Sequence, residues 1–262
     1  MSFVEFARGH GLLVANVAAD NCWHRVRTAD KPRSLNGAYK FDGKSGIVQN
    51  WAKMDKCAYW PTTGVVRQRA RQTPAEEDKS KFAAQVAKKM LEEARLSGHD
   101  YLNKKGFKEF VGLVRDEELL IPMRDFESRE LTSIQKIKPC GEKRFLAGSR
   151  TKNAVFVINR KALHLGAWLT EGFATGLSVS ETLKDSWWNL SVVVCFSANN
   201  LSRVAKQIKK CFVFADADEA GLRAAKESGH PFVRGEDGED ANDIYLRSKP
   251  ELRKLVLSMR RR

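Results

Sequence analysis

The chain has 262 residues, 42% of them hydrophobic, with 46 Lys and Arg against 32 Asp and Glu for a formal charge of +14. That apolar content supports one large or two modest folded domains and excludes a disordered chain. No apolar run approaches the ~18 residues of a membrane span, and Met1-Ser2-Phe3-Val4-Glu5 opens without a basic and then apolar leader. The expectation is a soluble, cytoplasmic protein whose positive charge suits a polyanionic partner such as nucleic acid.

The first segment, to about residue 73, concentrates that charge: residues 1–72 hold twelve Lys and Arg against five Asp and Glu. Its apolar runs are short, and it reads as a small α+β module. A helix is predicted over 2–8, then a strand at Gly37-Ala38-Tyr39-Lys40-Phe41 entering an Asp42-Gly43 hairpin turn, with Ile47-Val48 on the return. Gly43-Lys44-Ser45 has the ending of a phosphate-binding P-loop, but the glycine needed five residues earlier is Ala38 and a strand follows instead of a helix. No motor ATPase is encoded, and a helicase, where one is needed, is another chain. Cys22, His24 and Cys57 lack paired spacing, so no zinc site is predicted, and the five cysteines, odd in number and without Cys-x-x-Cys, exclude a disulfide framework.

Between 20 and 72 the basic and aromatic residues interleave: Trp23, His24, Arg25, Arg27, Lys31, Arg33, Tyr39, Lys40, Lys44, Trp51, Lys53, Lys56 and Trp60. Such a mixture suits stacking on unpaired bases and neutralising phosphates, with Trp23, Arg25, Arg27, Arg33, Lys40 and Trp51 as the candidate contacts. The alternative is a small tryptophan core with a solvated basic face. Residues 68–73 read as a polar connector, and Pro74 as the first-turn residue of the next helix.

From Ala75 to Ser97, Phe82, Val86, Met90 and Ala94 recur every four residues, predicting an amphipathic helix that ends near Gly98 with its Lys and Glu solvated. Short strands follow at 119–122, 131–137 and 154–158. From Ala167 the chain alternates strictly: strands at 167–171, 191–196, 211–216 and 231–234, helices near 173–184, 200–209, 219–228 and 240–247. That rhythm predicts an α/β fold with a largely parallel sheet flanked by helices.

Two of those strands end in acids. Trp168-Leu169-Thr170 runs into Glu171-Gly172, and Cys211-Phe212-Val213-Phe214-Ala215 into Asp216-Ala217-Asp218. Open α/β sheets place their chemistry at the carboxyl ends of such strands. Carboxylates meeting there repel and raise one another's pKa unless a cation neutralises them, so an oxygen-ligated divalent ion is expected. Each acid taken alone is as well read as a helix cap.

Residues 167–247 resemble a Toprim domain, the metal-binding fold shared by bacterial-type primases, type IA and II topoisomerases and certain nucleases, whose signatures are Glu-Gly after the first strand and Asp-x-Asp after the third. The resemblance extends upstream to the primase core, through Tyr101-Leu102-Asn103-Lys104-Lys105-Gly106, Leu120-Ile121-Pro122-Met123-Arg124-Asp125, Ser133-Ile134-Gln135-Lys136-Ile137 and Gly141-Glu142-Lys143-Arg144-Phe145-Leu146, in family order. Glu171-Gly172-Phe173-Ala174-Thr175-Gly176 is similar to the Glu-Gly-Tyr-Ala-Thr-Ala motif of primases carried by phages and conjugative plasmids, departing from it at Phe173 and Gly176.

The resemblance implies a DNA primase that builds short primers on single-stranded DNA from nucleoside triphosphates, with Mg²⁺ or Mn²⁺ as cofactor. Glu171, Asp216 and Asp218 would hold the metal, Lys143 and Arg144 would clamp triphosphate and template, and Arg124 and Lys104 would add basic contacts. Asp240-Ala241-Asn242-Asp243 is similar to a family segment whose acids, here Asp240 and Asp243, either join the metal site or cap the helix that starts there. Asn200 matches a family position read here as a cap. The implied organisation is a basic module at 1–73, a primase-core subdomain at 74–165 and a Toprim catalytic subdomain at 166–262. A Toprim nuclease, or a catalytically degenerate primase relative that binds nucleic acid, are the rival readings.

Overall fold

The computed structural model describes residues 1–33, 35–54, 57–61, 74–236 and 238–261. The expected connector at 68–73 and Lys56 lie outside them. The chain forms two compact units, Met1–Ala70 and Arg71–Arg262.

In the first unit, helix α1 (Phe3–Gly9) starts at Ser2, whose hydroxyl accepts the Glu5 N–H at 3.2 Å while the Glu5 carboxylate accepts the Ser2 N–H at 2.7 Å. This reciprocal cap satisfies two amides that would otherwise lack partners. Strands β1 (His24–Val26), β2 (Gly37–Phe41), β3 (Gly46–Asn50) and β4 (Ala58–Trp60) form an antiparallel sheet in that order. The β2–β3 turn is the expected hairpin, with Asp42 accepting the N–H groups of Lys44 at 2.8 Å and Ser45 at 2.6 Å and Gly43 at φ +87°. Strand alternation then sends Tyr39, Phe41, Val48, Ala58 and Trp60 inward against Phe3 and Phe6. Phe3 packs flat on Phe41, 4.5 Å between ring centroids, and lies so close to Gly46 that a Cβ there would sit 2.2 Å from its ring.

That inward face takes up some of the interleaved aromatic residues that were not among the candidate contacts. Tyr39 is a core residue, Trp60 packs partly buried against the core and donates its indole N–H to the Met1 carbonyl at 3.1 Å, and His24 stacks on Tyr39 while bonding Asp20. Sequence spacing alone does not reveal which side of a strand a residue takes until the pairing register is known.

The second unit opens with α2 (Pro74–Glu93), shorter than expected. Residues 95–97 leave the helix as β5 (Arg95–Ser97), because their backbone pairs with β6 (Gly112–Arg115). The buried stripe also differs: Ala83 and Ala87 face the core with Met90, Leu91 and Ala94, and Phe82 is 66% exposed. The short helix α3 (Asp100–Lys104) follows β5, and β7 (Glu118–Asp125), β8 (Leu131–Ile137), β9 (Lys143–Phe145) and β10 (Ala154–Ile158) complete an antiparallel region.

Strands β11 (Ala167–Thr170), β12 (Ser191–Val194), β13 (Cys211–Ala215) and β14 (Phe232–Arg234) are parallel, ordered β12-β11-β13-β14, and β10 joins them to β7 in one continuous sheet. Helices α4 (Phe173–Asp185), α5 (Ala198–Ala205) and α6 (Glu219–Ser228) are the crossovers, and α7 (Ala241–Arg247) and α8 (Lys249–Leu257) close the chain. A right-handed crossover in one direction puts its helix on one face, and a crossover in the other direction uses the opposite face. Thus Trp168, Val192, Val194, Phe212 and Phe214 pack towards α4, α7 and α8, while Leu169, Val193, Cys195, Val213 and Ala215 pack towards α5 and α6. Both faces being covered, the strands carry almost no polar residue.

Gly176 fits α4 tightly to the sheet. A Cβ there would lie 2.6 Å from Val194 Cγ2 and 3.0 Å from Thr170 Oγ1. Gly176→Ala should therefore lower stability by about 1–3 kcal/mol in thermal or urea denaturation, and Val194→Ala in the same chain should recover part of that loss.

Candidate functional site

The chain leaves β11 for β12 on one side and returns to β13 on the other. The carboxyl ends of β11 and β13 thus flank the point where strand order reverses, where helices diverge and a crevice opens for ligands. Glu171 follows β11 directly, and Asp216 and Asp218 follow β13.

Backbone bonds hold these acids in place. The Glu171 carbonyl accepts the N–H of Phe196 at 2.9 Å, and the Ala198 amide at the start of α5 favours the charged form of its carboxylate. Phe196 adopts φ +64°, a left-handed conformation that disfavours a bulky residue, so the loop after β12 is shaped at some cost to meet Glu171. On the other strand, Asp218 caps α6 by accepting the Gly221 N–H at 2.7 Å. Gly221 lies against the Asp216 backbone, where a Cβ would be 2.5 Å from the Asp216 carbonyl oxygen, so a glycine is required for the loop to close. The capping role of Asp218 and its place in the acidic group hold together.

The charges act on one another. Desolvation, then Glu171, Asp240 and Asp218, push the Asp216 carboxyl up to about 7. Glu171 is raised by desolvation and by Asp218, against the opposing pull of the Ala198 amide and Lys143. One buried carboxylate oxygen of Asp216, Oδ1, has no hydrogen-bond partner among the described residues. A desolvated acid with a free oxygen beside two more carboxylates is the donor chemistry of a hard divalent cation, and Glu171, Asp216 and Asp218 fit one in kind. As placed, no three acidic, His or Cys side chains among the described residues close on a single point at ligating distance.

Lys143 is the cation of this group. Its ammonium is lowered by desolvation and the Lys105 charge, and supported by Asp240, Asp216 and Glu171, although the residue as a whole is exposed. Its Nζ stands 5.8 Å from the centre of the buried Tyr101 ring, and the neighbouring Phe145 meets Phe196 edge-on at 6.1 Å. The first contact ties β9 to α3, and the second ties it to the loop that meets Glu171.

Other expected residues fall elsewhere. Asp240 and Asp243 form a reciprocal cap on α7, Asp240 accepting the N–H groups of Asn242 at 2.7 Å and Asp243 at 3.0 Å. Asp240 still acts electrostatically on Asp216, Lys143 and Tyr101; Asp243 is exposed and bonded back to the Asp240 amide. Arg144 pairs with Glu142 at 2.5 Å, and Lys104 donates to the Pro139 carbonyl at 3.0 Å. Arg124 donates to the Arg129 carbonyl, and Arg160 is lowered by desolvation and then by the charges of Arg129 and Arg124.

Sequence reading gave no individual role to Lys105, Tyr101, Phe196 and Asn242. Asn242 is fully buried and donates to the Lys105 carbonyl at 2.9 Å and the Ser178 hydroxyl at 3.1 Å, tying α3, α4 and α7 together. Asn200 is corrected as well. Ser197 caps α5, and the Asn200 amide bonds the carbonyls of Ala154 and Cys195 and the N–H of Asn153.

Residues 167–251 match the protein family described as Toprim domain, so the chain carries a Toprim domain over its carboxyl-terminal strands and helices. No curated protein matches the chain. Among solved structures, it is similar to a DnaG catalytic core at 12% identity and a TM-score of 0.39, over 55% of this chain and 53% of that one. The chain thus spans about half the length of that core. It is also similar to a chain of the bacteriophage T7 complex of lagging-strand DNA polymerase with primase domains, at 17% identity and a TM-score of 0.44, over 63% of this chain and 92% of that one. The RNA polymerase domain of Mycobacterium tuberculosis primase DnaG matches at 17% identity and a TM-score of 0.38, over 72% and 83% of the two chains.

The raised Asp216 carboxyl has a direction in stability. Because its folded pKa, about 7, lies above the ordinary 3.8, folding binds the proton more tightly; the stabilisation is complete below pH 3.8 and is lost as pH rises through 7. In metal-free buffer, Asp216→Asn should therefore be more stable than wild type at pH 8, by about 1–3 kcal/mol for this half-buried group, with the difference shrinking towards pH 4. Melting temperatures across that range check it, and added Mg²⁺ or Mn²⁺ should stabilise wild type more than the variant.

Proposed function

We propose that this protein is a DNA primase that joins nucleotides into short primers on a single-stranded DNA template. The observation that supports this is the placing of Glu171, Asp216 and Asp218 after β11 and β13, at the strand-order reversal, where their charges act on one another and on Lys143. Primase-like segments preceding Glu171 in the sequence, among them the one containing Lys143, favour synthesis over hydrolysis.

In the reaction, a 3′ hydroxyl attacks the α-phosphate of a nucleoside triphosphate, the new phosphodiester forms, and pyrophosphate leaves with the electron pair of the broken bond. Glu171, Asp216 and Asp218 would hold Mg²⁺ or Mn²⁺, which would supply the positive charge that acidifies the hydroxyl and shields the phosphate oxygens. Lys143, held by Tyr101 and β9 beside the carboxylates, binds the triphosphate, with Lys105 adding charge. The Glu171-Gly172-Phe173-Ala174-Thr175-Gly176 segment supports kinship with phage and plasmid primases, acting in the cytoplasm of a bacterial or infected cell beside a helicase on another chain.

Incubation with single-stranded DNA, labelled nucleotides and Mg²⁺ or Mn²⁺ should yield new short oligomers. Shortened template in their place would identify a nuclease, and neither product a binding protein. Asp216→Ala and Glu171→Gln should each abolish synthesis, a loss of at least about 100-fold, while Lys143→Ala should chiefly raise the KM for nucleotide. Synthesis that survives Asp216→Ala would overturn the site.

A further inference from the structure

The amino-terminal sheet has two unlike faces. One packs on α1, and the other carries the residues that alternate outward: Arg25 on β1, Lys40 on β2, Ile47 on β3 and Tyr59 on β4, with Trp23, Arg27 and Trp51 continuing the same alternation just beyond the strand ends. The register lines up Lys40, Ile47 and Tyr59 across three strands and sets Arg25 beside Ala38 and Gln49. Tyr59 is 62% exposed, Trp23 51% and Trp51 49%. Aromatic rings of this size are costly to leave in water and serve best where a flat partner covers them.

The charge on this face is unbalanced. Among the described residues of this unit the acids are Glu5, Asp20, Asp30 and Asp42, and each is engaged locally: in the α1 cap, with His24, with the Asn50 amide and in the hairpin turn. No ion pair joins Arg25, Arg27 or Lys40 to an acid among the described residues. Instead the Arg25 guanidinium lies 4.1 Å above the Trp51 ring, which holds that ring flat and keeps a positive charge beside it. Trp51 directly follows β3, four residues after Ile47, the partner of Tyr59, so roughly 10 Å of strand from Ile47 to Asn50 separates them. The two rings are thus spaced to hold different bases.

We propose that this face binds single-stranded nucleic acid, with Trp51 and Tyr59 stacking unpaired bases and Arg25, Arg27 and Lys40 neutralising the phosphates. Every base has a flat face to offer, so the site is tolerant of sequence, and paired bases are hidden from it. Ile47 and Tyr59 were not among the contacts expected from composition; they enter through the register. The site stands on its own chemistry and does not require that the carboxylates catalyse synthesis.

The test uses the full chain in EDTA, with fluorescence anisotropy of a labelled oligothymidylate and of a hairpin duplex. Wild type should prefer the single strand. Trp51→Ala and Tyr59→Ala should each weaken its binding by about tenfold or more at unchanged melting temperature, and Trp51→Phe should retain most of it. Asp216→Asn, which removes synthesis, should bind like wild type, so that failure of the carboxylate site and failure of this one read differently. Binding that survives both Ala substitutions, a duplex bound as tightly as the single strand, or equal displacement by polyglutamate would overturn the proposal.

Discussion

Three carboxylates at the ends of β11 and β13 repel one another in a site partly withdrawn from water, and the fold holds them there at a cost in stability. Asp216 shows it most directly, its carboxyl pushed up to about 7 first by desolvation and then by neighbouring acids. Acids free to relax would turn into solvent. These are held because the backbone at each strand end is committed elsewhere: Glu171 to the amide of Phe196, Asp216 to a turn that only Gly221 allows to close.

Much of the surrounding structure is explained as support for that arrangement. The left-handed Phe196 shapes the loop that meets Glu171 and offers its ring edge to Phe145 on the strand that carries Lys143. Asn242, fully buried, ties the segment bearing Lys105 to α4 and α7, and Asn200 ties α5 to β10 and β12. Two buried amides thus do at a distance what capping does locally. Each satisfies backbone groups that would be costly to leave unpaired in the interior.

The first unit shows a different use of a sheet. Its inner face is ordinary packing of Phe3, Phe6, Tyr39 and Val48, while its outer face keeps aromatic rings and cations in water. The same aromatic-rich composition supplies both, and the strand pairing divides them.

The parallel strands, their crossovers and the acids that end them were legible in the sequence, because a strand buried on both faces must be apolar throughout and its first polar residue marks its end. Locally closed features were equally plain: the Asp42 hairpin and the Pro74 start of α2 depend only on neighbouring residues. The end of α2 at Glu93, the exposure of Phe82, the inward turn of Tyr39 and Trp60 and the joining of β7 to β10 were decided by partners far along the chain. So too were the places of Lys105, Tyr101 and Asn242 around Lys143 and the carboxylates. Backbone pairing and desolvation depend on what lies across space, and a linear pattern records only what each residue prefers, not which neighbours the fold brings to it.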